Sequence, residues 1–309
     1  MKKIAAIVTA YNGAAYIGCA LDSIAAQQDL VDDVLVIDDG STDATREIVE
    51  AHSLETRYIY QDNQGAGAAR NRGIIETDSK FIAFLDCDDE WLPGKLENQL
   101  AYLEANPEAV LVTGDQTQLY VSTGERKLSA FPPSAYHTRR LLVENLIGNP
   151  SMTLLRREPL VACGMFDAGL RWGQDWELWI RLSRYGKLGH VPGPVILYRY
   201  HEKNLSHRNQ WERINVLSGI SRRYINQEPA LWRRPALHLA AMSIAEFSRA
   251  QYLRTRGRSR IAAFRHAFVA LLSNPFSGVR TKSSELLRAV IGESLYRKLR
   301  PMLKTTSGS

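Results

Sequence analysis

FIAFLDCDDEW, residues 81–91, decides the fold: five largely apolar positions from Phe81 to Leu85 give way to Asp86, Asp88 and Asp89 within four residues. A short apolar run of β-compatible side chains, closed by polar residues, is the pattern of a central parallel strand covered on both faces. Pro93 then predicts the start of a helix. On an extended segment Asp86 and Asp88 face the same way, with Cys87 on the other side. Two carboxylates on one face repel each other unless a cation lies between them, so the pattern predicts a divalent metal at a strand end. The alternative is that the acids solvate the strand end and favour the N-terminus of the next helix.

The same pattern occurs earlier in DVLVIDDGSTD, residues 33–43, where an apolar strand again ends in paired acids. Gly40 permits a tight turn, and Ser41, Thr42 and Asp43 are capping residues for the helix that follows. Ligands of open α/β sheets bind at the carboxyl ends of strands, which makes Asp38 and Asp39 ligand candidates and Asp43 a helix cap. Strand and helix patterns alternate through the first hundred residues: IAAIVTA and YIGCALDSIAAQ, DVLVID and DATREIVEAH, RYIYQ and GAGAARNRGIIE, FIAFLD and PGKLENQLAYLEANP. This alternation predicts βαβ units on a mostly parallel sheet, an α/β fold. Later segments are less regular, with a helix expected at QDWELWIRLSRYG (174–186) and a β segment at VILYRYH (195–201). QGAGAARNRG (64–73) lies between strand and helix as a dinucleotide fingerprint would. Arg70 stands where the third glycine belongs, however, and the segment follows the third strand, so close helix packing with Arg70 and Asn71 in a cleft is the better reading.

With 309 residues, 45% hydrophobic and 23% charged, the chain has material for one large domain and an appendage. No apolar run is long enough to span a bilayer; the best, IAAFRHAFVALL at 261–272, is short and contains Arg265 and His266. The two lysines before IAAIVTA suit a strand better than a secretion signal. Cys19, Cys87 and Cys163 have no metal-ligand spacing and an odd count, consistent with reduced thiols in the cytoplasm. Charge is unevenly divided: residues 210–309 hold 18 Lys and Arg against 5 Asp and Glu, a net of +13, and the remainder is −7. A boundary near residue 210 therefore separates an acidic α/β domain (1–209) from a basic helical appendage (210–309).

Taken in order, TAYN (9–12), VIDDGSTD (36–43), NQGAGAARNRG (63–73), FLDCDD (84–89), GMFD (164–167), QDWELW (174–179) and YRYHEKNLS (198–206) resemble the motif set of family 2 glycosyltransferases over residues 4–206. The resemblance implies a GT-A fold and inverting transfer from a nucleotide-diphosphate sugar, with UDP- or dTDP-sugars favoured. It implies that Thr9, Tyr11, Asp39 and Arg70 surround the nucleotide base with Asp38 nearby, that Asp86 faces the ribose, and that Asp88 holds Mg²⁺ or Mn²⁺. Such a cation offsets charge growing on a departing diphosphate. Asp175 matches the aspartate of the family's acidic pair and is the expected base, with Trp172 and Trp176 as an apolar wall; Gln174 stands where the family usually has Glu. His201 is expected to complete the metal or diphosphate site, and Arg199 to pair with phosphate oxygens.

A saccharide or lipid-linked acceptor in cell-surface polysaccharide or glycolipid synthesis follows from the same resemblance. The basic helices, with Trp211, Trp232, Phe247, Tyr252, Phe264, Phe268 and Tyr296, suit either an anionic membrane surface at the inner face of the cell membrane or a homo-oligomer contact. Nucleic acid is not an expected partner, because no binding motif accompanies the charge. Two rival readings are a catalytically silent carbohydrate- or membrane-binding protein and a sugar nucleotidyltransferase. The latter needs a basic glycine-rich loop that TAYNGAAY does not supply.

Overall fold

The computed structural model describes residues 3–130, 138–201, 204, 209–230, 234–255 and 260–273. Trp232, Tyr296 and most of the RTRGRSR segment lie outside them. Four parallel strands carry the first half of the chain: β1 (Ile4–Ala10), β2 (Asp33–Asp38), β3 (Arg57–Tyr60) and β4 (Phe81–Asp86), in the order β3-β2-β1-β4. Every residue of β1 and β2 is buried, as are Phe81–Leu85, which is why these strands read as continuous apolar runs. β3 is the edge strand and is correspondingly only half-buried.

Helices fill the crossovers. α1 (Ile17–Ala25) buries Ile17, Ala20, Leu21 and Ile24, the stripe expected of a helix lying on a sheet. α2 (Thr45–Ala51) follows β2, and α3 (Ala66–Ile75) packs against β1 so closely that a Cβ on Gly73 would stand 2.4 Å from Ile7 Cγ2.

Beyond β4 the sheet becomes mixed. β5 (Glu90–Trp91) is followed by α4 (Lys95–Ala105), β6 (Ala109–Tyr120), β7 (Glu125–Ser129), the short α5 (Thr138–Leu141), β8 (Leu154–Arg156), α6 (Arg157–Ala162), α7 (Gln174–Leu182) and β9 (Lys187–Tyr200). The sheet continues β4-β8-β6-β9-β5, with β7 paired to β6. Pro93 does not open α4; Gly94, at φ 77°, caps a helix that starts at Lys95. The segment between is instead drawn into the sheet, Glu90 and Trp91 pairing with Leu197 and Ile196. β9 also begins well before VILYRYH, because it runs parallel beside β6 with register shifts that accommodate Pro192 and Pro194.

The chain divides into two compact units, one formed by residues 1–141 and 145–204, the other by Leu142–Glu144 and residues 205–309. In the second, α8 (Gln210–Ile225), α9 (Arg234–Thr255) and α10 (Arg260–Ser273) are described. Buried Ala250, Ala263, Ala267 and Ala270 let the α9–α10 backbones approach, and Ser243 Oγ donates to the Ala270 carbonyl at 2.8 Å. Ser221 of α8 donates to the Leu142 carbonyl at 2.5 Å. Among the described residues no helix is long and apolar enough to cross a membrane.

Candidate active site

The carboxyl ends of β1, β2 and β4 meet at one rim. After β2 the chain turns at Gly40, whose φ of 86° is accessible to glycine at little cost. Asp38, fully buried, accepts from the Ser41 N–H at 2.8 Å and from the Tyr58 hydroxyl at 2.5 Å, so its carboxylate braces the turn. Burial and the Asp38 charge push the Tyr58 phenol well above its usual range. Asp39 accepts from Gln61 Nε2 at 2.7 Å, the Gln64 N–H at 2.8 Å and the Gly65 N–H at 2.7 Å, and so shapes the loop that enters α3. The loops after β1 and β2 are zipped together: Asn12 Oδ1 accepts from the Thr42 N–H at 2.9 Å, and Asp43 accepts from the N–H groups of Ala14 and Thr45, both at 3.1 Å. Burial opposes ionisation of Asp43, but these donors and the Thr45 hydroxyl hold its carboxyl below the usual range. Asp43, one position before the N-cap Ala44, thus holds Thr45 at the start of α2 and ties the two loops. Tyr11 stands on this rim, 54% exposed.

Asp86 ends β4. Its Oδ1 accepts from Thr9 Oγ1 at 3.0 Å and from an Arg70 terminal nitrogen at 2.6 Å, while its N–H donates to Ser151 Oγ at 3.0 Å. Arg70 is buried, stacks over Phe166 at 5.4 Å, and directs its other terminal nitrogen at Gln174 Oε1, 3.5 Å away and at the outer limit of a hydrogen bond. Asn71, expected in the cleft, is turned elsewhere. Its amide brackets Phe166, donating to the carbonyl at 2.8 Å and accepting from the N–H at 2.9 Å, which docks the GMFD segment on α3.

Asp86 and Asp88 do not share partners. The chain leaves the strand in a turn closed by the Asp89 N–H on the Asp86 carbonyl at 2.9 Å, so strand alternation ends at Asp86. Asp88 Oδ2 meets His201 Nε2 at 3.1 Å and Asn204 Nδ2 at 3.2 Å. His201 stacks on Tyr16 with centroids 5.3 Å apart. Arg199 lies over the same ring, donates to the Asp88 carbonyl at 3.2 Å and pairs with Glu90, so its guanidinium already has a carboxylate partner. Among the described residues no cluster of three or more His, Cys, Asp or Glu side chains forms a ready-made metal cage.

Asp89 is fully buried. Asn149 Nδ2 approaches its Oδ2 at 3.3 Å, while Asp89 Oδ1 and Asn149 Oδ1 both lack hydrogen-bond partners among the described residues. Burial, then the neighbouring charges of Asp88 and Asp86, raise its carboxyl well above the usual range.

Asp175 is the second residue of α7, which starts after Gly173 in the left-handed conformation. Its Oδ2 accepts from Asn145 Nδ2 at 3.0 Å. Gln174 donates to the Leu170 carbonyl. Trp176 does not face the carboxylate, since adjacent helical residues point apart; its indole N–H donates to the Leu141 carbonyl at 2.6 Å. Residues 145–151, read from sequence only as irregular chain around Pro150, thus supply three contacts to the acids: Asn145 to Asp175, Asn149 to Asp89 and Ser151 to the Asp86 backbone. Two asparagines and a serine in the otherwise apolar NLIGNPSM stretch (145–152) were the available signal.

A parallel βαβ sheet with acid-bearing strand ends, extended by mixed strands that carry a second acid-bearing helix, is a GT-A-like glycosyltransferase fold. The structure of S. aureus TarS 1–349 in complex with UDP superposes with a TM-score of 0.63 at 17% identity, over 94% of this chain and 92% of that one. Longer TarS gives the same TM-score at 18% identity, this chain spanning 54% of it. The family model for Glycosyl transferase family 2 matches residues 5–163, and the chain belongs to that family. An uncharacterised glycosyltransferase of Rickettsia typhi is 27% identical over 239 residues, 73% of each chain. TuaG of Bacillus subtilis, a candidate teichuronic acid biosynthesis glycosyltransferase, is 27% identical over 217 residues, 68% of this chain and 84% of that protein.

Proposed function

We propose that this glycosyltransferase inverts the anomeric centre, moving a sugar from a UDP- or dTDP-sugar to a hydroxyl of a saccharide or lipid-linked acceptor in cell-surface polysaccharide or glycolipid assembly. The observation that carries the reading is the bridge made by Arg70, which joins Asp86 at the end of β4 to Gln174, the neighbour of Asp175. Asp86 and the first turn of α7, the turn that carries Asp175, are thereby joined through one buried guanidinium. The UDP and UDP-GlcNAc complexes of TarS favour a uridine donor, and the description of TuaG favours a cell-surface polymer.

Thr9, Tyr11, Asp39 and Arg70 surround the base in this reading, with Asp38 holding their turn, and Asp86 faces the ribose. Asp88 and His201 fit a Mg²⁺ or Mn²⁺ held chiefly by the substrate, because one carboxylate with diphosphate oxygens and water is a common Mg²⁺ donor set. Such a cation supplies charge neutralisation at the departing diphosphate. Arg199, through Glu90 and the Asp88 carbonyl, positions the Asp88 turn instead of contacting phosphate itself. The acceptor oxygen attacks the anomeric carbon opposite the diphosphate, the bond to the diphosphate breaks, and Asp175 takes the hydroxyl proton.

Calorimetric titration of UDP, dTDP, GDP and ADP, each with Mn²⁺ and with chelator, tests the donor site. Metal-dependent binding of a uridine or thymidine diphosphate, lost in Asp88→Ala, is expected; metal-independent binding unchanged in the variant would overturn the Asp88 assignment. Once a donor is in hand, Asp175→Asn is expected to lower turnover by roughly 10²- to 10⁴-fold with nucleotide affinity retained.

A further inference from the structure

α10 presents an apolar stripe to solvent. Ile261, Phe264, Phe268 and Val269 follow one another at intervals of three, four and one, a single helical face, and all four are exposed, Ile261 by 76%. Phe264 and Phe268 stack on each other, with centroids 6.0 Å apart and planes 10° from parallel. The opposite face, Ala263, Ala267 and Ala270, is the one buried. Four large apolar side chains on one exposed face make a patch of the kind that marks an interaction site.

Its surroundings are strongly cationic. Residues 247–284 contain eight arginines and lysines and no aspartate or glutamate, and four of the arginines, at 254, 256, 258 and 260, immediately precede the stripe. Arg265 lies within the stripe and is exposed. We propose that α10 is a docking helix for an anionic lipid surface, lying in the plane of the headgroups with Ile261, Phe264, Phe268 and Val269 entering the acyl boundary and Arg265 on lipid phosphates. A second copy of the chain is a poorer occupant, because residues 247–284 offer no acidic side chain to pair with Arg265 inside the stripe. A nucleic acid would satisfy the arginines and leave the phenylalanines in water. At 14 residues α10 is too short to span a bilayer, so the helix lies on the surface instead of crossing it.

The test is co-sedimentation of the full chain with vesicles of phosphatidylcholine alone and of phosphatidylcholine containing 30% phosphatidylglycerol (roughly that proportion suffices for a negative surface potential), at low and high salt. The readout requires neither sugar donor nor acceptor, so it stands or falls apart from the transferase mechanism. Binding is expected on the anionic vesicles only, weakened by salt, and reduced at least about tenfold in Phe264→Asp/Phe268→Asp, since charge is costly below the headgroups. Arg254→Gln/Arg265→Gln should reduce the salt-sensitive part while leaving the stripe in place. Both double variants change exposed or partly exposed positions, and unchanged circular dichroism and thermal midpoint will establish that they fold. Failure of the wild-type chain to bind, equal binding of the Asp double variant, or a wild-type dimer that this variant converts to monomer without any lipid binding would each overturn the proposal, the last assigning the stripe to a subunit contact.

Discussion

Replacing Asp89 by Asn should change how stability depends on pH. The wild-type carboxyl is fully buried beside Asp86 and Asp88 and its folded-state pKa is raised. In the unfolded chain it titrates near pH ~3.9. Between the two values the unfolded chain is ionised while the native protein keeps its proton, so unfolding releases a proton and stability falls as pH rises. The slope is about 1.4 kcal/mol per pH unit, absent below the unfolded value and ending where the native carboxyl ionises. Asparagine is nearly isosteric, keeps an acceptor for Asn149 Nδ2 and cannot ionise. The variant should therefore gain on wild type by about 1.4 kcal/mol for each pH unit above pH ~4.5, until the native carboxyl ionises. Urea denaturation followed by tryptophan fluorescence at pH ~4.5, 5.5 and 6.5, with chelator present, measures this difference. A difference that stays flat, or that moves against the variant as pH rises, would show that Asp89 is ionised in the native protein and refute the reasoning.

Lys95 is fully buried, over the Trp91 ring, with Nζ on Gln99 Oε1 at 2.8 Å and the Thr153 carbonyl at 3.2 Å, and burial holds its amine well below the usual range. Lys95→Arg, which cannot shed its proton, should cost about 3–5 kcal/mol in a urea titration, more than Lys95→Met; equal cost would mean the site tolerates charge. Gly73→Ala should lower the urea midpoint, because overpacking against Ile7 at about 1–3 kcal/mol outweighs a helix-propensity gain of about 1 kcal/mol; an unchanged midpoint would mean that α3 can lift off β1 freely.

The sequence by itself determined the parallel half of the sheet. β1, β2 and β4 are covered on both faces, and an unbroken apolar run ending in acids has no other comfortable place to lie. It also placed Asp38, Asp39 and Asp86 at strand ends on one rim, because parallel strands joined by right-handed crossovers bring their carboxyl ends together, while the grouping of Thr9 and Arg70 with them rested on the family resemblance. What each carboxylate does there was decided by tertiary contacts. Asp38 and Asp39 are neighbours in the same motif, yet one is sealed against Tyr58 and Ser41 while the other organises the loop into α3. Asp88 and Asp89 are likewise adjacent, but a turn after β4 sends the first to His201 and buries the second against Asn149. Arg199 meets Glu90 only because β5 pairs with β9, a contact spanning more than a hundred residues. Local sequence carries the period of a strand and the chemistry of its end. Burial, and so the protonation and partners of an acid, comes from chain segments far away in the sequence, which short-range pattern does not encode.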